Sequence, residues 1–215
     1  MKGHGGRTGR PVRYHEVMAH SWMVFVALLA LGTAAHAQTP AGDGGESADE
    51  RRARIARTEN RINLRLGMSS ADQSQRPTIC MEVRLVSHLS LEGCGTGNGL
   101  LHHSDGAELA HYRFKWALAK NVLYGGLARA QLGVGFAELQ LAADDPGFVI
   151  RPDGGVEASG PEAAATFQWL RPMGKGWEFI VNANAGLAWV PGAGDLVVPQ
   201  NTVQPFFGLE IGAGW

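Results

Sequence analysis

Hydrophobic and polar residues alternate with a period of two along most of the chain after about residue 61. This is the period of a β-strand, whose successive side chains point to opposite faces. In the segment 177–190 one side is apolar throughout, whereas the other carries Glu178, Asn182 and Asn184. At about 3.3 Å per residue and a tilt near 45°, the run from Trp177 to Trp189 reaches about 28 Å. That length predicts a strand that crosses a bilayer, with tryptophan at both interfaces.

Six further segments alternate in the same way: 62–68, 79–91, 110–118, 124–136, 163–169 and 207–215. A strand in hydrocarbon has no water to satisfy its backbone polar groups, so such a sheet has to close on itself. We therefore expect an all-β protein, an antiparallel up-and-down transmembrane β-barrel. Eight strands is the smallest usual number, and an even number is required when both ends lie on one side. The pattern shows seven, so one strand is hidden.

The segment 79–93 is one place where the missing strand could lie; Cys80 is near its start and Cys94 directly follows it. On one unbroken strand the two residues are about 46 Å apart and remain free thiols, which is the interpretation we favour at this point. If the chain instead folds back near Ser87 and His88, Cys80 faces Cys94, and an oxidising compartment favours a disulfide. A hairpin within 148–159 is another source of the eighth strand.

The positions of the aromatic residues distinguish a membrane barrel from a soluble sandwich, which would also alternate. If Lys120-Asn121 and 172–176 are short turns, Trp116, Tyr124, Trp169 and Trp177 lie near one rim. Such a ring of aromatic side chains is typical of an outer-membrane barrel. The long loops, near 95–106, 143–160 and 191–202, are then expected on the opposite, outer side.

The N-terminal segment indicates export. Arginines precede the apolar run 22–31, and Ala35-His36-Ala37 is followed by Gln38. A basic region, a short apolar core and an A-x-A site describe a signal peptide, and the core is only about half the length of a membrane anchor. We expect a signal peptide over 1–37 with cleavage after Ala37, a polar arm or short helix over 38–60, and a barrel over 61–215. Translation could also begin at Met18.

The chain ends PFFGLEIGAGW, with apolar residues at alternate positions and a final aromatic residue, Trp215. This ending resembles the C-terminal strand of small Gram-negative outer-membrane β-barrel proteins. The resemblance implies a location in the cell outer membrane and contact with lipid and lipopolysaccharide. It also implies insertion by the barrel assembly machinery, which reads this strand in that superfamily.

The charge of the chain limits the functions that it can have. A net charge of -1 and a pI near 6.7 provide no basic surface for nucleic acid. The polar sides of the strands carry nearly balanced charges, which are expected to pair and fill a narrow barrel. They are Glu82, Glu92, Glu178, Glu210, Arg65, Arg84, Arg113, Lys115 and Arg129. We expect a plugged barrel with a structural or interaction role through its outer loops, whose partner the sequence does not identify. We assign no catalytic residue, no cofactor and no metal ligand.

Two alternatives stay open. His102-His103-Ser104-Asp105 resembles the His-x-Ser-Asn segment of outer-membrane lipid A deacylases, with Asp105 in place of asparagine. Serine, histidine and a carboxylate are the groups that acyl transfer uses, and His102, His103 and His111 are also possible metal ligands. The second alternative is a soluble periplasmic, lipocalin-like barrel that binds a small ligand.

Overall fold

The computed structural model describes residues 47, 49–50, 61–73, 76–97, 106–141, 155–174 and 176–215. Within them, eight strands pair in sequence order into one closed, antiparallel barrel, which confirms the predicted all-β class and strand number. The strands are β1 Ile62–Ser69, β2 Thr78–Val86, β3 Leu89–Gly95, β4 Glu108–Leu123, β5 Gly126–Gln140, β6 Glu157–Gly174, β7 Trp177–Trp189 and β8 Val203–Gly214. One 3-10 helix, Pro191–Asp195, follows β7.

The predicted signal peptide and most of the predicted arm lie outside the described residues. No helix among the residues that are described is long and apolar enough to cross a membrane. In the arm, Ser47 and Glu50 exchange hydrogen bonds between side chain and backbone, as in a helix-capping box.

The eighth strand comes from the segment that we expected to be continuous. The chain turns at Ser87 and His88, so that β2 and β3 form a hairpin with Cys80 opposite Cys94. The single-strand prediction for 79–93 is therefore wrong, and so is the prediction of two free thiols, because the two cysteines form a disulfide. The apolar alternation hid the turn because it continues with little interruption from one strand into the next.

A second correction concerns the turn after β4. The predicted turn at Lys120-Asn121 is wrong, since β4 continues to Leu123 and the turn consists of Tyr124 and Gly125. Both turn residues have positive φ, 48° and 71°. Two positive φ angles are what a tight type I′ hairpin requires, and glycine adopts them without strain.

The register of the strands sets the shape of the ring. A path through paired residues that starts at Leu170 on β6 and passes once around the barrel returns to β6 at Gly160, ten residues away. The ten residues of stagger correspond to a shift along the strands of about 33 Å, at about 3.3 Å per residue, and the circumference is eight strand spacings of about 4.8 Å. The ratio of the two lengths gives a strand tilt of about 41°. The start of β1, the end of β8 and the short turns lie at one end of the barrel, here called the turn end. The longer connections lie at the other end, the loop end.

The two sides of the sheet differ sharply in polarity. Outward side chains of the described strands are apolar along most of their length, and many are at least half exposed. Outward polar residues occur only toward the strand ends: Asn121, Arg171, Glu108, Glu138, Gln140, Glu157 and Ser159. Inward positions hold most of the buried charged and amide side chains, while Glu108, Glu138 and Glu157 are buried at outward positions near the loop end. The core of this protein is therefore polar in its middle, and its surface is hydrophobic.

Candidate functional site in the barrel interior

Arg65 is the centre of a buried network of ion pairs inside the barrel. Its guanidinium donates to Glu82 and Glu210, each at 2.8 Å, and also contacts Glu92. All four side chains are essentially without solvent exposure. The opposite residue on β8 is Gly212, where a Cβ would lie 2.8 Å from Arg65 Cγ. Glycine at this position therefore leaves the space that the arginine side chain occupies.

Lys115 on β4 strengthens the same network from the far side of the β2–β3 hairpin. Its Nζ lies 3.0 Å from a Glu82 oxygen and 2.8 Å from a Glu92 oxygen. The Arg113 guanidinium donates to Glu92 at 2.7 Å. Each of the two carboxylates is thus shared between cations from strands on both sides, β1 and β4.

Amide side chains complete the hydrogen bonding of the carboxylates. Asn182 on β7 donates to Glu210 at 2.9 Å, and Asn184 donates to the other oxygen of that carboxylate. Gln168 on β6 donates to Glu82 at 3.0 Å and accepts a hydrogen bond from Arg129. Carboxylates buried in this way remain charged at tolerable cost only when they are paired and hydrogen-bonded.

Among the described residues, the inward charges that are buried or half-buried balance, leaving aside Lys120, which is exposed at the turn end. Five acids face five bases: Glu82, Glu92, Glu162, Glu178 and Glu210 against Arg65, Arg84, Arg113, Lys115 and Arg129. The prediction that these charges pair is confirmed for Glu82, Glu92 and Glu210 with Arg65, Arg113 and Lys115. Removal of a single member would leave a buried charge without its partner.

Apolar layers bound the charged network at both ends of the barrel. At the turn end, Leu127, Leu170 and Ile180 lie on consecutive strands and are almost fully buried. At the loop end, a buried hydrophobic cluster contains residues of the 3-10 helix and its neighbourhood, such as Ala193 and Leu196. The polar interior is therefore enclosed between two apolar layers.

The disulfide and a histidine lie where the network meets the loop-end cluster. Cys80 and Cys94 project inward, and an Arg113 nitrogen lies 4.0 Å from Cys94 Sγ. The His111 Nδ1 lies 2.6 Å from a Glu162 oxygen, and its ring packs on Phe206 at 4.4 Å between centroids. Among the described residues, the cysteine sulfurs and Glu210 are the one group close enough together to hold a metal ion, and here the sulfurs are bonded to each other.

Of the histidines, serine and aspartate considered as catalytic or metal-binding residues, the structure describes only His111. His102, His103, Ser104 and Asp105, on which the deacylase alternative depends, lie outside the described residues. His111 faces the interior of the barrel and is paired with Glu162. Sequence reasoning missed Glu162 because the predicted strand segment, 163–169, began one residue after it. The sequence does contain a sign of it: the inward positions Gln168, Thr166 and Ala164 continue at the same spacing to Glu162, and β6 includes all of them.

A comparison of the chain with protein-family models, with curated proteins and with solved structures found no match.

Proposed function

We propose that this chain is a small outer-membrane β-barrel that is surrounded by lipid and has a plugged interior. On this proposal it has a structural or interaction role through its loop end. The observation that carries the proposal is the exposed apolar exterior of a closed ring whose interior is charged. A water-soluble barrel would place its apolar side chains inside and would not expose a continuous hydrophobic surface of this extent.

The dimensions of the apolar exterior support a lipid environment. The thirteen residues from Trp177 to Trp189 are separated by twelve steps of about 3.3 Å, which at a tilt of about 41° cover about 30 Å along the barrel axis. This matches the thickness of the hydrocarbon core of a bilayer, about 30 Å. Charged substitutions within such a band are costly, which explains why the outward polar residues are confined to the ends of the strands.

Aromatic residues near the turn end support the same proposal. Trp177 and Trp215 pack with their ring centroids 5.2 Å apart, and Trp169 Nε1 donates to the backbone oxygen of Leu123 at 2.9 Å. Trp116 lies opposite Leu89, the first residue of β3. A tryptophan side chain combines an apolar ring with an N–H group that donates a hydrogen bond, and such side chains suit the interface between lipid and water.

The C-terminal strand supports assembly by the barrel assembly machinery. β8 pairs with both β7 and β1 and so closes the ring. Its outward residues are Phe207, Leu209, Ile211 and Ala213, followed by Trp215, and these are the residues that resemble the recognised strand of outer-membrane proteins.

The filled interior supports a role without a diffusion pore. The ion-pair network and the two apolar layers occupy the space that a channel would need, and an eight-stranded barrel has little more room than its own side chains. A lipocalin-like binder needs an apolar cavity inside and a polar exterior. The polarity of this barrel is the reverse, which favours the membrane protein.

Fractionation of cells that express the whole chain tests the proposal. We expect the protein in the outer-membrane fraction, soluble only with detergent, with a mobility on gels that changes on boiling. Recovery as a stable monomer in plain buffer would refute the membrane location. Large, stable conductance in planar bilayers would refute the plugged interior and leave the location intact.

A further inference from the structure

The Cys80–Cys94 disulfide is enclosed on every side of the closed barrel. Cys80 is 0% exposed and Cys94 is 6% exposed. On the neighbouring strands, Arg65 pairs with Cys80 and His111 pairs with Cys94, and both side chains are buried. Toward one end lies the charged network, and toward the other lies the hydrophobic cluster. A thiol–disulfide exchange partner has to bring its own sulfur into line with one of these sulfurs, and the closed ring leaves no room for that approach.

The hairpin that the disulfide joins carries a repulsive pair. Glu82 on β2 and Glu92 on β3 are directly opposite each other on the inward face, two residues from the disulfide on each strand. Like charges in directly opposite positions destabilise a pair of strands. The cations that neutralise them belong to other strands: Arg65 to β1, and Arg113 and Lys115 to β4. Before those strands pair with the hairpin, the two carboxylates oppose its formation.

We propose that the Cys80–Cys94 disulfide forms before the barrel closes, and that it holds β2 and β3 together until Arg65 and Lys115 reach the two carboxylates. The oxidant is a thiol–disulfide oxidoreductase or a small disulfide of the exported compartment. The Cys80 or Cys94 thiolate attacks the oxidant's disulfide and gives a mixed disulfide. The second thiolate then displaces the oxidant's sulfur. Two electrons and two protons leave the cysteines, and the oxidant departs as a dithiol or as two thiols.

The short separation of the two cysteines favours this order. They are 14 positions apart in sequence, so the loop that they close is small and its ends meet quickly in an unfolded chain. Pairing of β1 with β8 joins the two ends of the barrel domain and is the slower kind of contact. The disulfide is thus an early local link in a sheet that closes through its most distant strands.

The order of oxidation and closure can be measured with the whole exported chain. The chain is reduced and unfolded in urea, and glutathione disulfide is added either before or after dilution into detergent micelles. Closure is followed by resistance to protease and bridging by mass spectrometry. We expect fast oxidation in the unfolded chain. In the closed, protease-resistant chain we expect oxidation to be at least about 100-fold slower, because the sulfurs react only when the barrel opens.

Each outcome decides the proposal. A chain that stays protease-sensitive until it is oxidised also supports it, because closure then follows the disulfide. A closed, protease-resistant barrel whose thiols oxidise as fast as those of the unfolded chain overturns it. The control is Tyr124→Cys in a Cys80→Ser/Cys94→Ser background. That thiol lies in an exposed turn and should react with glutathione disulfide at the same rate whether the barrel is open or closed. The measurement concerns access to two sulfurs, so it can fail while the membrane proposal stands, and the reverse also holds.

Discussion

Arg65 on the first strand and Glu210 on the last strand form a buried ion pair of 2.8 Å across the seam where the barrel closes. The same guanidinium also contacts Glu82 and Glu92 on the next two strands. One side chain therefore links four of the eight strands, and it does so at the junction that turns an open sheet into a ring. This arrangement makes the charged interior part of what closes the barrel.

Substitution of Arg65 by methionine should destabilise the barrel strongly. The variant leaves Glu82, Glu92 and Glu210 buried without their shared cation, and loss of one partner from a buried ion pair costs about 3–5 kcal/mol. Urea unfolding in detergent measures the loss. Arg171→Met is the matched control. Arg171 is exposed on the outer side near the turn end, so its substitution should change the free energy of unfolding little. Equal stability of the two variants would contradict the role assigned to Arg65.

A pair of valines tests how the cost of an outward charge depends on depth. Val134 lies near the middle of β5 and is 53% exposed, whereas Val203 begins β8 at the loop end and is 52% exposed. In a membrane barrel, arginine costs about 2–4 kcal/mol at mid-depth and about 0–1 kcal/mol near an interface. Val134→Arg should therefore reduce folding into lipid vesicles far more than Val203→Arg does.

Equal effects of the two substitutions would argue for a barrel surrounded by water. Two valines of equal exposure are equivalent surface positions for a soluble protein, where an exposed arginine is well tolerated. The comparison therefore separates the two environments without any assumption about the total stability of the protein.

Loss of the disulfide should reduce stability as well as change the order of folding. A cross-link that closes a loop of about 15 residues is worth about 3 kcal/mol in the chain-entropy model. We expect Cys80→Ser/Cys94→Ser to unfold at a correspondingly lower urea concentration, as measured against the oxidised wild type. The single variant Cys94→Ser should lose the same amount, and a difference between the two would point to a separate role for one sulfur.

Asp72, in the connection between β1 and β2, should make stability depend on pH. Burial raises the pKa of Asp72 above its ordinary value of 3.8, although the Leu109 N–H and the Thr78 hydroxyl both donate to the carboxylate and lower it. The folded chain thus holds this proton more tightly than the unfolded chain does. The free energy of unfolding should fall as pH rises from about 3.8 through the raised pKa, and then level off.

Asp72→Asn is the control for this pH dependence. Asparagine can accept from the Leu109 N–H and donate to the Thr78 oxygen, but it does not titrate. The difference in unfolding free energy between wild type and variant should decline across the same pH range. A difference that stays constant with pH would show that Asp72 is not the source.

The sequence predicted the polarity of this barrel well because strand alternation is a local property. Each residue of β7, from Trp177 to Trp189, faces the side that its position in the alternation predicts, and the polar positions of β1, β2 and β4 supply the charged network. A one-residue slip would move every side chain of a strand to the wrong face. The alternation therefore predicts which residues of a strand face inward, without any knowledge of the neighbouring strands.

Turns were predicted less well because their signals are short and depend on context. Ser87 and His88 carry no glycine or proline, and the apolar residues on both sides continue the alternation. At the end of β4, Lys120-Asn121 is a more polar pair than Tyr124-Gly125, yet the turn takes the pair with glycine because both of its residues need positive φ. Which cation meets Glu82 or Glu92 depends on the register between strands, which only the closed sheet shows.

Quenching of tryptophan fluorescence by lipid tests the membrane proposal most directly. Residues 38–215 contain Trp116, Trp169, Trp177, Trp189 and Trp215, and all five are on the outer side of the barrel. In vesicles with brominated acyl chains we expect strong quenching, and little from iodide in the water. Strong quenching by iodide together with none by the brominated lipid would contradict the claim that the apolar exterior faces lipid.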